Sequence, residues 1–421
     1  MVNNMSQYFD NKENMPRDER QSRKTFILMD MLNTGYQKSS RIRKMFTEMK
    51  INISEVRTLD DFEKLPVISR EKLIKLEMSE PPYGGLNNKE VTIDRIFISP
   101  GPVYEPHLSE NDILWARAYF AAGIGKGDVV LNAFSYHMVA AGLTFHGGLR
   151  HVGAAVIPSG TSSSQIQVQL MRDLGVTAYT GTPSFLMSII NKAEELGYDF
   201  KNSFNMKRAC FAAEPLSPSL RDKFEREYAI DTYQMYGATE VGDVSFECCE
   251  KNGWHICEEV LVEIVDPTTG KKVPAGTFGE VVVTRFNTIF FLFRFGTGDL
   301  SRLIESPCPC GRTSFRLDGI VGRVGDAVKV RGLFIAPSQL AKIKEKFDRV
   351  NFQLLVTKSA HEDILTVKVE PRESALNTAS FENDFRTFFK DTCTVKIDHI
   401  EFLKQGTLKD NRLIVDEREW K

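Results

Sequence analysis

Residues 127–160 read GDVVLNAFSYHMVAAGLTFHGGLRHVGAAVIPSG. Val129, Val130 and Leu131 make a short unbroken apolar run, the pattern of a buried strand. Leu143 to Arg150 has helical spacing, and Ala154 to Ile157 is a second short apolar run. The same alternation extends on both sides. Asn111 to Ala122 reads as a helix upstream. Downstream come a helix over Gln165 to Leu174, a strand at Ala178-Tyr179 and a helix over Pro183 to Leu196. Helices alternating with short apolar strands predict an α/β fold of layered, mainly parallel sheets. Gly123-Ile124-Gly125-Lys126-Gly127 has the glycines of a phosphate loop, but it lacks the following Ser or Thr and leads into a strand. It reads as a helix-to-strand turn.

The ends of the chain differ from this middle. Near the N-terminus, Phe26, Leu28, Met31 and Leu32 have the spacing of an amphipathic helix, and Ser69 can cap a helix that begins with Arg70-Glu71-Lys72. After Tyr236 the pattern becomes β-rich, with strands over Val260 to Val265 and Gly279 to Thr284 and turns at Asp266 to Gly270 and Pro274 to Gly276. The last hundred residues carry a separate small α+β pattern: helix Pro337 to Lys346, strands Gln353 to Thr357 and Leu365 to Val369, helix Phe381 to Phe389 and strand Thr394 to Ile397. The expected division is a large domain over 1–321, including a β-rich subdomain, and a small C-terminal domain over 322–421.

A chain of 421 residues exceeds one ordinary core. Lys and Arg total 54 against 56 Asp and Glu, a net charge of −2, so there is no basic surplus to hold nucleic acid. The first residues lack an apolar signal core, and the greasiest run, Ile289 to Phe293, is too short to span a bilayer. No membrane partner is expected. Seven scattered cysteines do not form a secreted disulfide framework, so a cytoplasmic address is expected. The sequence leaves a homodimer open.

Two groups of residues carry chemistry. The first is Tyr236-Gly237-Ala238-Thr239-Glu240. Thr239 and Glu240 are hard oxygen donors suited to phosphate and Mg²⁺. In order around this segment stand Ala212-Ala213-Glu214-Pro215, Gly296-Thr297-Gly298-Asp299-Leu300, Gly322-Arg323-Val324-Gly325-Asp326, and Arg331-Gly332 running to Pro337-Ser338-Gln339-Leu340. Together with Tyr8-Phe9-Asp10 and Met15-Pro16-Arg17, these segments resemble the adenylate-forming superfamily, and most closely the phenylacetate–coenzyme A ligase family. The resemblance covers almost the whole chain. It implies an AMP-forming ligase that joins a carboxylic acid, aromatic or arylacetic, to coenzyme A, with ATP, Mg²⁺ and CoA as its small-molecule partners. Within it, Ala213, Glu214, Pro215, Tyr236 and Gly237 belong to the nucleotide site. Asp299 holds the ribose hydroxyls, Arg323 lies in the interdomain hinge, and Arg331 and Gly332 open the C-terminal domain. Thr239, Glu240, Arg323 and Lys409 are the implied catalytic groups. Phe134, Tyr136, His137 and Ala212 are the implied lining of the acid pocket, where aromatic faces suit an aryl acid.

At the place of the family's phosphate loop the chain reads Ser99-Pro100-Gly101-Pro102-Val103-Tyr104-Glu105-Pro106-His107. Ser99 and Gly101 remain, three prolines supply no N–H donors, the lysine is gone and Glu105 adds negative charge. Lys409 is out of register with the family's C-terminal lysine. These departures carry a second expectation, a repurposed relative that binds a nucleotide, a CoA ester or an acyl group without the full reaction.

The second group is Cys248, His255, Cys308 and Cys310. Two ligand pairs flanking turns form a closed tetrahedral set for a structural Zn²⁺, and relatives in the family look to carry similar segments. Cys249 and Cys257 compete as ligands. Strand alternation sends Cys248 and Cys249 to opposite faces, so only one of them binds.

Overall fold

A computed structural model of the chain describes residues 7–99, 101–331, 333–359, 362–372, 378–408 and 412–418. It divides into two compact units. The first comprises 1–263, 282–297 and 304–318; the second comprises 264–281, 298–303 and 319–421. The strands Val260–Val265, Gly279–Arg285 and Phe295–Ser301 each begin in one unit and end in the other. The last segment of the second unit starts at Gly319, just ahead of Gly322–Asp326.

In the first unit, apolar runs too short for helices become the centre of a nine-stranded sheet. Eight of its strands run in the order Arg316–Leu317, Trp254–Ile256, Gly242–Glu247, Asp231–Ala238, Arg208–Phe211, Ala178–Gly181, Val129–Asn132, Ala155–Ile157. From Asp231–Ala238 to Ala155–Ile157 every pairing is parallel. From Asp231–Ala238 to Arg316–Leu317 every pairing is antiparallel.

Two connecting helices show how the sequence sets their ends. Ser163 caps Ser164–Leu174 by accepting from Ile166 N, and Gly175 ends that helix in the left-handed conformation. Thr182 caps Pro183–Glu195, with Pro183 in the first turn. Their apolar faces and the sheet bury Leu131, Val168, Met171, Tyr179, Leu186, Ile189, Ile190 and Phe211 in one core. Each such side chain contributes roughly 1.5–3 kcal/mol by leaving water.

The helix expected over Asn111 to Ala122 is shorter. A single 3₁₀ turn covers Ser109–Asn111, and the α-helix begins only at Ala116. Trp115 breaks it: its φ is +72°, and its backbone N–H donates to Asp243 Oδ2 at 3.1 Å. A tertiary hydrogen bond has outweighed local propensity.

The second unit holds a four-stranded sheet ordered His399–Phe402, Glu362–Pro371, Val350–Ser359, Ile414–Asp416. Leu340, Ile343, Phe385 and Phe389 from the helices Pro337–Lys346 and Thr378–Cys393 pack on it. The strand expected at Thr394 to Ile397 is displaced to His399–Phe402. Thr394 turns left-handed at φ +61°, while Val395 and Ile397 stay buried. The carbonyls of Lys396 and Ile397 accept from the guanidinium groups of Arg331 and Arg386, so a ladder is not needed to satisfy them.

Candidate active site and metal centre

In a parallel sheet, the strand ends where pairing direction changes leave a crevice into which loops project. That change occurs here at the turn Thr239–Val241, between Asp231–Ala238 and Gly242–Glu247. A cavity of about 220 Å³ lies there. It is lined by residues that directly follow parallel strands: Phe134 after Val129–Asn132, Ala212 and Ala213 after Arg208–Phe211, and Ala238, Thr239 and Glu240 at the end of Asp231–Ala238. Its volume is below the roughly 300–1,000 Å³ of pockets for drug-sized ligands, which fits a small ligand.

One end of the cavity is aromatic. The Phe134 and Phe145 rings stack at 4.4 Å, and Trp115 lies 4.4 Å from Phe145 on its other flank. Trp115 Nε1 donates to Thr144 Oγ1 at 3.3 Å, so the residue is held by its ring as well as by its backbone N–H. Gly237 allows this approach. A Cβ there would stand 2.6 Å from Trp115 Cη2 and 2.2 Å from the Gly242 carbonyl oxygen.

The other end is polar. Glu240 forms an ion pair with Arg70, the first residue of the helix Arg70–Ser79, and Arg70 also donates to Ser99 Oγ at 3.2 Å. The strands Arg95–Ser99 and Val103–His107 form an antiparallel hairpin in which Phe97 faces Glu105. Phe97, Val103, Glu105 and His107 share the buried face and line the cavity. His107 Nε2 contacts Asp112 at 3.1 Å, and Arg95 pairs with the same carboxylate at 2.9 Å. Burial pushes the His107 pKa down despite that neighbour.

Glu105 differs from all of these. It is 8% exposed, and neither carboxylate oxygen has a hydrogen-bond partner among the described residues. Burial pushes its pKa up to about 7. The Glu240 charge adds to the rise, and the nearby Ser99 and Thr239 hydroxyls oppose it without reaching hydrogen-bond geometry. Glu77, whose Oε2 accepts from Tyr104 N at 2.9 Å, is also raised to about 7, again chiefly by burial.

Of the residues expected from sequence, Phe134, Ala212, Ala213, Gly237, Thr239 and Glu240 come together on this cavity. Tyr236 is buried and stacks on Trp254 at 5.9 Å. Glu214 accepts from Ser184 Oγ at 2.6 Å, at the start of the helix Pro183–Glu195, and Pro215 is exposed. Tyr136 and His137 are outside the lining. The Tyr136 hydroxyl meets Asn132 Nδ2 at 2.7 Å and His146 Nδ1 at 3.0 Å, and His137 is exposed. Asp299, Arg323 and Arg331 belong to the second unit. There Asp299 and Arg323 are strand partners 3.6 Å apart, and Arg331 holds Asp398 with two bonds of 2.7 and 2.8 Å. Gly332 and Lys409 lie outside the described residues, as does Pro100.

Arg70, Trp115, Thr144 and Phe145 were not singled out from sequence as site residues. Arg70 reads locally as the start of a helix, and its partner is 170 positions away. Trp115 reads as part of an ordinary helix, and only Asp243 pulls it out.

Cys248, His255, Cys308 and Cys310 converge in the same unit. All four are buried, and their ligand atoms lie within 4.8 Å of one another. Cys248 and Cys308 Sγ are 3.8 Å apart, and Cys310 Sγ is 3.3 Å from His255 Nε2. A tetrahedron with Zn–S bonds of about 2.3 Å has edges of about 3.8 Å, so the donor set fits that ion. His255 Nδ1 meets Ser314 Oγ at 3.2 Å, which leaves Nε2 facing the cluster. Cys249 is exposed and Cys257 contacts Asp243 at 3.7 Å, so neither belongs to the set.

This cluster anchors the start of the described chain. Gln7 donates to the Cys310 carbonyl, Arg312 pairs with Glu13 at 2.9 Å, and Thr313 N donates to the Glu13 carbonyl. Asp10 in turn grips Arg117 with two bonds, two residues beyond Trp115 of the cavity wall. Among the described residues no helix is long and apolar enough to cross a membrane.

Residues 108–289 match the AMP-binding enzyme family. The phenylacetate-coenzyme A ligase of Escherichia coli (strain K12) is 31% identical over 375 residues, covering 85% of this chain and 84% of that protein. The phenylacetate-coenzyme A ligase of Aromatoleum evansii is 28% identical over 409 residues, 91% of each. Among solved structures, an open conformation of 2-hydroxyisobutyryl-CoA ligase in complex with 2-HIB-AMP and CoA matches with a TM-score of 0.85 at 23% identity, over 99% of this chain and 96% of that one. That last likeness is one of fold.

Proposed function

Because the chain belongs to the phenylacetate–coenzyme A ligase family, we propose that it is an AMP-forming ligase for a small acid with an aromatic or arylacetic body. It joins a carboxylic acid to coenzyme A. The carboxylate attacks the α-phosphate of ATP and pyrophosphate leaves. The CoA thiol then takes the acyl group from the adenylate and AMP is released. The observation that carries the finer reading is the cavity itself, with Phe134, Phe145 and Trp115 at one end and Thr239 and Glu240 at the other.

In this reading Phe134 and Ala212 line the acid pocket. Ala213, Glu214, Pro215, Tyr236 and Gly237 form the adenine side, and Asp299 takes the ribose hydroxyls. Thr239 and Glu240 face the reacting phosphate. Mg²⁺ would be held by Glu240 and would neutralise phosphate charge; Arg70, now paired with Glu240, is the group that must yield to it. Arg323, Arg331, Gly332 and Lys409 keep the roles implied by the family, and Gly322–Asp326 serves as a hinge for a mobile domain over 322–421. A structural Zn²⁺ at Cys248, His255, Cys308 and Cys310 completes the reading; four protein ligands leave it no open position for catalysis. A homodimeric assembly and a cytoplasmic address stay part of the proposal, checked by sedimentation and cell fractionation.

The second reading, a relative that binds nucleotide or acyl groups without adenylating, is favoured by one feature. The hairpin at the phosphate-loop position offers the buried Glu105 carboxylate in place of a lysine and a hydroxyl cluster. Each charge-assisted hydrogen bond missing there is worth about 1.5–3 kcal/mol, so AMP should bind better relative to ATP than in an ordinary ligase. Pyrophosphate exchange across a panel of acids, with calorimetric titration of ATP, AMP and CoA, decides between them. Exchange with any acid supports the ligase. Its absence with every acid, beside measurable AMP or CoA binding, overturns it.

A further inference from the structure

Glu105 is the one cavity-lining side chain that combines near-complete burial with two carboxylate oxygens lacking a partner among the described residues. A buried ionisable group is normally paired or hydrogen-bonded, because burying it otherwise is costly. The other charges on this lining are matched: Glu240 by Arg70, and Arg285 by Asp243 at 3.0 Å. The cations near the hairpin are committed too, since Arg95 and His107 both turn to Asp112. Arg70, the nearest cation to act on Glu105, is paired with Glu240, so of the two carboxylates on this lining Glu105 is the one that no cation of the described residues bonds. A carboxylate beside aromatic faces is the lining that accepts an organic ammonium.

The position of Glu105 narrows the ligand further. It stands beside Ser99, Thr239 and Glu240, at the polar end, while Trp115, Phe134 and Phe145 form the other. If adenylation occurs at Thr239 and Glu240, a cation next to Glu105 is close to the reacting carboxyl group. We propose that Glu105 is the ammonium-recognising residue of this site and that the acid activated here is an α- or β-amino acid with an aromatic or apolar side chain. This identification of the substrate class rests on the ligase reading above. It also accounts for a carboxylate among reactants that are all anions: the substrate brings the neutralising charge with it. A neutral acid of the same shape would leave Glu105 buried and unmatched, which is how a polar site rejects an analogue that lacks the recognised group.

Matched pairs test this. Phenylglycine differs from phenylacetate only by an α-ammonium, and phenylalanine differs from 3-phenylpropanoate in the same way. ATP-dependent CoA thioester formation is measured for all four acids with the native chain and with Glu105→Gln, alongside calorimetric binding of each acid without ATP. The native chain should prefer the amino member of at least one pair by about 100-fold or more in kcat/KM. Glu105→Gln should bring that ratio to within a few-fold of one, chiefly by weakening the amino acid. A native ratio near one, or a ratio unchanged in Glu105→Gln, overturns the assignment. Thioester formation from neutral acids alone overturns it while leaving the ligase reading intact. Glu105-dependent binding of the amino members without any thioester overturns the ligase reading and supports the role of Glu105. No conversion and no binding of any of the four overturns the assignment, and the pyrophosphate-exchange panel then decides the ligase reading separately.

Discussion

The Cys248–His255–Cys308–Cys310 cluster and the Arg95–His107 hairpin lie in the same unit, and both bury polar side chains, but they follow opposite rules. In the cluster, each donor faces another and the outer groups are tied down: His255 to Ser314, and Arg312 to Glu13. In the hairpin, Arg95 and His107 are matched to Asp112, but Glu105 is left without a partner in a cavity wall. A buried group satisfied from within belongs to the scaffold. A buried group satisfied only from outside marks where a ligand must come.

Breaking the cluster should have the largest effect. Cys308→Ser or Cys310→Ser removes a zinc ligand and leaves the loop 305–315 without its anchor to the first residues. Structural zinc sites supply folding energy outright, so the loss should be on the order of 5 kcal/mol or more. Elemental analysis should give about one zinc per native chain and almost none for these variants, with a large fall in melting temperature. Cys249→Ser should keep both metal and stability. Metal-free native protein of full stability would show that the four side chains are only a packed thiol group.

Breaking the hairpin's imbalance should act with the opposite sign and depend on pH. An unfolded Glu titrates near 4.5, whereas folded Glu105 is raised to about 7. Between these values the folded chain keeps a proton that the unfolded chain gives up. Stability attributable to Glu105 is therefore full below pH 4.5, falls as pH rises through the window, and is flat above 7. The span of about 2.5 units corresponds to about 3 kcal/mol. Glu105→Gln cannot lose a proton. Its stability relative to the native chain should rise by up to about 3 kcal/mol between pH 4.5 and 7.5, read as the difference between two urea-unfolding series. Glu77 is raised in the same direction and remains in both proteins, so only that difference isolates Glu105. Parallel pH profiles would mean that Glu105 is already matched in solution.

Both regions could be found in the sequence, but to different depths. Ligand type and spacing were enough to pick all four cluster residues, because metal chemistry restricts the choice to a few side chains. Cys248 joins the cluster and Cys249 is exposed, but the strand ends at Glu247, so the turn that follows and not strand alternation separates the two. The α/β alternation and its mainly parallel sheet were equally legible, since apolar runs and helical periodicity are local. In the hairpin the sequence showed the loss of lysine and the gain of a carboxylate. It could not show that Glu105 would be buried, or that Arg70 would be spent on Glu240, because those facts depend on contacts between distant segments. Trp115 is the same case: a good helical context overruled by Asp243, which is 128 positions away in the chain. Tyr136 and His137 follow a strand end as Phe134 does, yet Tyr136 turns to Asn132 and His146 while Phe134 turns to Phe145.

The smallest expected effect is the sharpest test of which rule the cluster obeys. Ser314 meets the His255 nitrogen on the side away from Cys310. A hydroxyl accepting from Nδ1–H fixes the tautomer that leaves Nε2 with its lone pair toward the metal, and it holds the ring plane in place. Outer groups of this kind typically change metal affinity by 10–100-fold. Ser314→Ala should therefore bind zinc at the weaker end of that range of change, about tenfold, as measured by competition with a chromophoric chelator. At saturating zinc it should melt close to the native chain, because all four ligands are still there. It should leave the pH profile assigned to Glu105 untouched, because the hairpin and the cluster share none of these contacts. An effect on zinc affinity alone means that the cluster is a metal site with its orientation built in. Lost stability at saturating zinc, with affinity unchanged, would mean that Ser314 and His255 serve packing, and the four converging side chains would then need another explanation.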